Sequence, residues 1–238
     1  MAKTIFNRVA DRILSIVGLD FDFSFEMRGD AFNQITRDIF VGVRPQPEGI
    51  QTLKEAGITH VISCLPEAER PKMSFLQQDF HPFFLAIHDG IHEDLTPTFP
   101  KVFEYVSQER KSHSKAKFLI HCEVGVSRSA TLAIALLMKS EGKDFFETYR
   151  QVRLKRPGVL PNIGFASQLQ RLEHTWRPNE RPHGKFSSLT HYLHQICNVP
   201  VEIEILQEML ERHDYDAPRA IRAIFGDEIP RVVQGVRV

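Results

Sequence analysis

The run His121-Cys122-Glu123-Val124-Gly125-Val126-Ser127-Arg128-Ser129-Ala130-Thr131 joins a short apolar stretch, 117–121, to a longer and almost wholly apolar one, 129–139. By pattern this reads as strand, loop and helix. Successive backbone N–H groups leading into a helix N-terminus form a positively polarised hollow, and Gly125 lets the chain turn tightly enough to close it. The backbone of Glu123, Val124, Gly125, Val126, Ser127 and Arg128 is therefore a candidate oxyanion ligand, and the planar fork of Arg128 suits two oxygens at once. Cys122 lies at the base of the hollow as the candidate nucleophile. A helix N-terminus and a guanidinium favour its thiolate, so no general base is needed. Ser129 is placed to donate its hydroxyl to the sulfur and steady it as a leaving group, and His121 to orient the loop. Phosphoryl transfer from a monoester matches this set, because negative charge on three equatorial oxygens calls for many fixed donors around one nucleophile.

The leaving oxygen needs a proton from an acid on a separate loop. Asp89 fits, since it follows a strand-like stretch at 83–87 and precedes Gly90; Asp94 is the reserve. The same loop holds His88, His92 and Glu93, whose types would also suit a metal. The cysteine mechanism needs none, so neither metal nor cofactor is expected at the site.

These residues require elements that hold them. A strand is read over 35–43, a helix over 48–56, a strand over 59–64 and a strand over 83–87. A helix over 96–107 is read with Thr96 as its cap and Pro97 in its first turn. Helices over 145–154 and 164–172 follow, separated by Arg156-Pro157-Gly158 and Pro161-Asn162. Alternating strands and helices predict an α/β fold: a central mixed, mostly parallel sheet flanked by helices.

At 238 residues the chain can bury a full core without disulfides. Its 30 Lys plus Arg balance its 30 Asp plus Glu, which gives no reason to expect a nucleic-acid ligand. Cys64, Cys122 and Cys197 are odd in number and widely spaced, which argues against a disulfide framework or zinc cluster and for a reducing, cytoplasmic setting. Ile5, Val9, Ile13 and Val17 recur at four-residue spacing, an amphipathic helix that packs on the body or touches a membrane surface, and is too short in its apolar run to span one. The division read from this pattern is an N-terminal helix and extended segment at 1–34, a catalytic domain at 35–176, a linker at 177–185 and a small helical C-terminal extension at 186–238. In the extension, Ile205, Met209, Ile221 and Ile224 are the expected core, and Asp216 caps the last helix. It reads as a cover on the catalytic body, with a protein-docking module as the alternative.

The run His-Cys-x-x-Gly-x-Ser-Arg-Ser-Ala-Thr resembles the phosphate-binding loop of the dual-specificity phosphatases, within the protein tyrosine phosphatase superfamily. Ile39-Phe40-Val41-Gly42, Gly57-Ile58-Thr59-His60-Val61-Ile62, and Arg156-Pro157 with Pro161-Asn162-x-Gly164-Phe165 agree with that family. The resemblance covers about residues 35–173. It implies a phosphocysteine at Cys122, phosphate binding by Arg128, acid catalysis by Asp89, assisted release by Ser129 and a buttress at Asn162. It also offers Cys64 as a redox partner for Cys122. The substrate it implies is a phosphoprotein. The acidic Glu123 and the lack of lysine within the loop argue against a phosphoinositide or phospholipid headgroup, which stays open as an alternative, as does a phosphate-recognising adaptor.

Overall fold

In the computed structural model, residues 31–178, 180 and 183–226 are described, so the amphipathic helix read at Ile5 to Val17 lies outside them, and of the extended segment that follows it within 1–34 only residues 31–34 are described. A five-stranded sheet runs in the order β1-β2-β5-β3-β4, with β1 (Phe32–Gln34), β2 (Ile39–Gly42), β3 (His60–Leu65), β4 (His81–Ala86) and β5 (Phe118–His121). β1 pairs antiparallel with β2, and every other pair is parallel. The three inner strands are buried on both faces, which is why Ile39-Phe40-Val41, Val61-Ile62 and Leu119-Ile120 read as unbroken apolar runs. Pro82 is tolerated because β4 is an edge strand.

One face of the sheet carries α1 (Ile50–Glu55), entered through a 3-10 turn at Pro47–Gly49, and a 3-10 segment at Glu67–Gln78 whose Met73 and Leu76 join Phe40, Leu53, Val61 and Leu119 in a small core. The other face carries α2 (Thr98–Ser112), α3 (Arg128–Glu141), α4 (Phe145–Lys155) and α5 (Ile163–Trp176). α3 is buried from Arg128 through Met138, as a helix apolar all round must be, because helices enclose it on every side the sheet does not.

The extension forms α6 (Ser188–His191), continued by a π turn at Tyr192–Ile196, then α7 (Ile203–Arg212) and α8 (Ala217–Phe225). Its Leu189, Tyr192, Leu193, Leu206, Leu210 and Ile221 belong to the same core as the sheet, and the Tyr192 hydroxyl donates to Pro161 O at 2.6 Å. These helices are therefore built onto the catalytic body. His183 joins the intervening segment to the α4 N-cap, 3.0 Å from Asp144 Oδ1.

Local readings differ from the structure in four places. The strand expected over 35–43 is a hairpin whose turn is held by Thr36, which bonds Asp38 and the Ile39 amide at 3.1 Å each, so local side-chain bonds outcompete extension. Thr96 does not cap α2. Its own amide donates to Asp94 Oδ1 at 2.9 Å, and Pro97 stands at the helix boundary. The segment at 67–78 has no clear periodicity around Pro71 and escaped the pattern. Ile205 is half exposed, and Leu206 and Leu210 take its expected place in the core.

Candidate active site

Cys122 follows β5 directly, and α3 begins at Arg128, so the loop between them hangs from the sheet edge where the parallel strands end. Its carbonyls are all tied on the outside. Cys122 O faces His121 Nδ1 at 3.3 Å, and Glu123 O accepts from Arg44 N at 3.1 Å. Val124 O and Gly125 O accept from Arg156 at 3.2 and 2.9 Å. Val126 O accepts from Leu160 N at 3.0 Å, and Ser127 O from Thr131 N and Oγ1 at 2.9 and 2.8 Å. With the carbonyls turned out, the amides face the opposite way. Among the described residues those of Glu123, Val124, Val126, Ser127 and Arg128 donate to no protein acceptor, and that of Gly125 donates to Cys122 Sγ at 3.2 Å. Such an arrangement can serve as an oxyanion cradle, with the Cys122 sulfur at its floor.

Gly125 takes φ +70°, and a Cβ there would meet Gly42 O and Arg156 Nη2 at 2.5 and 2.6 Å. Both the left-handed turn and the close approach exclude a side chain. The Ser129 hydroxyl donates to Cys122 Sγ at 3.3 Å, giving the sulfur a second donor suited to an anion.

Arg128 is almost fully buried, and its Nε lies 3.4 Å from Asp89 Oδ2. That separation counts as an ion pair but is poorly aligned, for Nε is also a buried side-chain donor without a hydrogen bond. A donor at the cradle is thus left for an anionic ligand. Asp89 Oδ1 accepts from Ser127 Oγ at 2.7 Å and from Asn162 Nδ2 at 3.0 Å. Asn162 also caps α5 through Phe165 N at 3.0 Å, and its own amide donates to Ser127 Oγ at 3.2 Å. The loop bearing Asp89 is anchored rather than free. Gln168 bonds Leu95 N and Glu93 O at 2.7 and 2.8 Å, and Gly164 lies so close to the Ile91 backbone that no Cβ fits.

His121 is fully buried, and burial, with Arg44 and Arg128 nearby, pushes it down to about 4, against the opposing bond to Cys122 O. It is neutral at pH 7, with Nδ1–H toward Cys122 O. Nε2 then accepts from the Ser63 hydroxyl at 2.8 Å. Cys64 is buried, and burial first, then the charge of Cys122, raises its thiol well above the usual range. Glu123 extends outward, about half exposed, with a carboxylate oxygen 3.4 Å from Arg44.

Asp94 stays apart from this group, its carboxylate spent on Thr96. Three contributors escaped sequence reasoning: Ser63, the Ser127 hydroxyl and the Arg156 guanidinium. Arg156 also reaches Asn33 Oδ1 at 2.7 Å, so β1, α4's end and the cradle meet in one side chain. The only signal for it was its place beside Pro157 in a family motif. Among the described residues, the His/Asp/Glu grouping within metal-ligand reach is not at 88–94 but at His60, Glu109 and His113.

Residues 39–175 match the family model described as dual specificity phosphatase, catalytic domain. The chain is 31% identical to dual specificity protein phosphatase 1B of Arabidopsis thaliana over 151 residues, 63% of this chain and 87% of that one. It is 32% identical to the tyrosine-protein phosphatase vhp-1 of Caenorhabditis elegans, covering 61% of this chain but 22% of that much longer one. Among solved structures, the human tyrosine phosphatase-like serine/threonine/tyrosine-interacting protein superposes with a TM-score of 0.56 at 28% identity, covering 61% of this chain and 97% of that one. Among the described residues no helix is long and apolar enough to cross a membrane. A match that takes in β2 through α5, with cysteine, arginine and aspartate converging on one cradle, leaves a single assignment: the chain belongs to the dual-specificity phosphatase family, whose catalytic domain is a cysteine-dependent protein phosphatase.

Proposed function

We propose that the chain hydrolyses phosphotyrosine, and phosphoserine or phosphothreonine, in proteins through a phosphocysteine at Cys122. The observation that supports this reading is the outward tying of every loop carbonyl, which leaves the amides of Glu123, Val124, Val126, Ser127 and Arg128 without a protein acceptor in the loop that bears the sulfur. The phosphate oxygens take the amides of 123–128 and the Arg128 guanidinium. The sulfur attacks phosphorus, and the P–O bond to the leaving group breaks as Asp89 gives that oxygen its proton. Water then attacks the phosphocysteine. Asp89 takes the water's proton, and Ser129 donates to the departing sulfur, returning thiolate and inorganic phosphate.

A protein substrate is favoured over a polyphosphorylated headgroup by the charge at the rim. Arg44 is already paired with Glu69 at 2.7 Å and Glu123 at 3.4 Å, and the loop itself adds no lysine. Contact with a membrane surface through residues 1–34, protein docking through residues 186–238 and a cytoplasmic location belong to the same proposal. A thiolate enzyme suits a reducing compartment, and the exposed Ile205 on α7 offers the extension an apolar contact.

The test is turnover of an aryl phosphate, phosphopeptides and phosphoinositides by purified full-length protein, with chelator and with vanadate. Metal-independent, vanadate-sensitive turnover of phosphopeptides above phosphoinositides is expected. Preference for phosphoinositides overturns the substrate, and binding without turnover makes the protein an adaptor.

A further inference from the structure

The four parallel strands all run toward the cradle, so the first residues of β3, β4 and β5 lie at the far edge of the sheet. There His60, the first residue of β3, stands in register with His81 and Phe118. The last turn of α2 brings Glu109 to this edge, with His113 four residues on and therefore on the same face. His60 Nε2 and His113 Nδ1 each lie 2.9 Å from Glu109 Oε2, and the three ligand atoms fall within 4.8 Å of one another.

We propose that His60, Glu109 and His113 form a site for a borderline divalent transition metal ion of the zinc class, separate from the catalytic centre. Two imidazole nitrogens and one carboxylate oxygen are the donor set of such ions, whereas magnesium and calcium call for oxygen throughout. Two neutral imidazoles and one carboxylate carry a single negative charge, which leaves a bound divalent ion only one net positive charge.

The site is held before any ion arrives. The His60 ring lies between His81, stacked at 4.7 Å, and Phe118 at 4.8 Å, so its direction is fixed. Its Nδ1 is 2.7 Å from Thr59 Oγ1. When an ion displaces the proton that Nε2 donates to Glu109, Nδ1–H donates to Thr59 and the Nε2 lone pair faces the ion, the usual outer hydrogen bond of a metal-bound imidazole. Thr59 can accept it because its hydroxyl has its own acceptor, Lys117 O at 3.3 Å. His113 is 47% exposed, so an ion has a path in and a fourth position open to water. In a tetrahedral site with bonds of about 2.0–2.1 Å the ligand atoms stand roughly 3.3–3.4 Å apart. The two nitrogen–oxygen distances of 2.9 Å reach that spacing with a few tenths of an ångström of outward movement, and the exposed His113 can turn to set its nitrogen against that of His60. Bound there, the ion ties the end of α2 to the first residue of β3, and acts on stability rather than on the cradle at the opposite edge.

The experiment uses the full-length chain after chelator treatment, titrated with zinc chloride by calorimetry and thermal melting. Zinc is expected to raise the melting temperature of the wild type. His113→Ala, at an exposed position, and Glu109→Gln, which keeps its size, are expected to weaken zinc binding at least tenfold while kcat/KM on an aryl phosphate stays at the wild-type level. Cobalt(II) is expected to give the visible bands of a four-coordinate nitrogen and oxygen site without thiolate charge transfer. The proposal is overturned by an unchanged melting temperature, by zinc affinity undiminished in both variants, or by a cobalt thiolate band that disappears in Cys122→Ser.

Discussion

Replacing Arg156 by lysine tests how the cradle is kept in shape. The guanidinium makes three hydrogen bonds, to Gly125 O at 2.9 Å, Val124 O at 3.2 Å and Asn33 Oδ1 at 2.7 Å. Burial lowers its proton affinity while the nearby Cys122 charge offsets that, so it stays a charged donor. Lysine keeps the charge but has no planar fork, and meets at most one of the three acceptors well. Hydrogen bonds from a charged group contribute about 1.5–3 kcal/mol each. With two lost and partly replaced by water, the expected destabilisation is about 2–4 kcal/mol, a fall in melting temperature of roughly 4–16 °C for a chain of this size. The larger effect is on catalysis. Freed carbonyls of Val124 and Gly125 can rotate inward, turning amides out and placing negative ends toward the phosphate. Loss of a single oxyanion donor lowers kcat by about 10²–10³, and a comparable fall is expected here. The assay is kcat/KM on an aryl phosphate together with vanadate affinity, measured below the lowered melting temperature. A variant that melts lower yet keeps wild-type kcat/KM and vanadate affinity would show that Arg156 serves stability alone, and would refute this account of the cradle.

Asp89→Asn removes the proton donor while keeping the shape and the contacts to Ser127 and Asn162. Turnover should drop about 10²–10⁴-fold on phosphoserine peptides and less on an activated aryl phosphate, where the leaving group needs less help; equal losses on both would count against general-acid catalysis. Low pH should weaken the fold through His121. Its folded proton affinity lies near pH 4 against an unfolded value of 6.5, so stability is full above pH 6.5 and declines as pH falls toward 4, by roughly 3 kcal/mol in all. Urea unfolding of wild type and His121→Asn at pH 7.5 and pH 5 should show a shallower pH dependence in the variant, and identical slopes would exclude His121 as the source. After mild peroxide, a sulfenic acid at Cys122 condensing with the Cys64 thiol would release water and leave a disulfide, recoverable by thiol reductant. Peptide mapping that finds only sulfinic or sulfonic Cys122 would remove Cys64 as a redox partner.

The cradle was legible because it is contiguous: eleven consecutive residues hold the candidate nucleophile, the amides, the guanidinium and the serine beside the sulfur. Asp89 was legible by type and by its place after a strand. Arg156 was not, since its partners lie 31, 32 and 123 residues away and nothing local marks a side chain that shapes another loop's backbone. Ser63 meets His121 only because β3 and β5 are neighbours, a pairing 58 residues apart in the chain. The fold class followed from the alternation of strand-like and helix-like stretches along the chain. Local detail failed where short polar side chains competed with the ladder, at Thr36 and Asp38, or where a helix starts one residue later than its expected cap implies, with Pro97 rather than Thr96 at the boundary. The tail's helices were readable by period. Ile221 is buried as read and Met209 and Ile224 pack against the core, whereas on α7 Leu206 and Leu210 are buried in place of Ile205.

The most direct measurement is rapid acid quench of the enzyme during turnover of an aryl phosphate, followed by peptide mass spectrometry. One phosphoryl group should appear on the peptide bearing Cys122, with an equivalent burst of the released aryl alcohol. It should persist longer in Ser129→Ala, whose sulfur is the poorer leaving group. Phosphate found on any other residue, or turnover surviving in Cys122→Ser, would contradict the account.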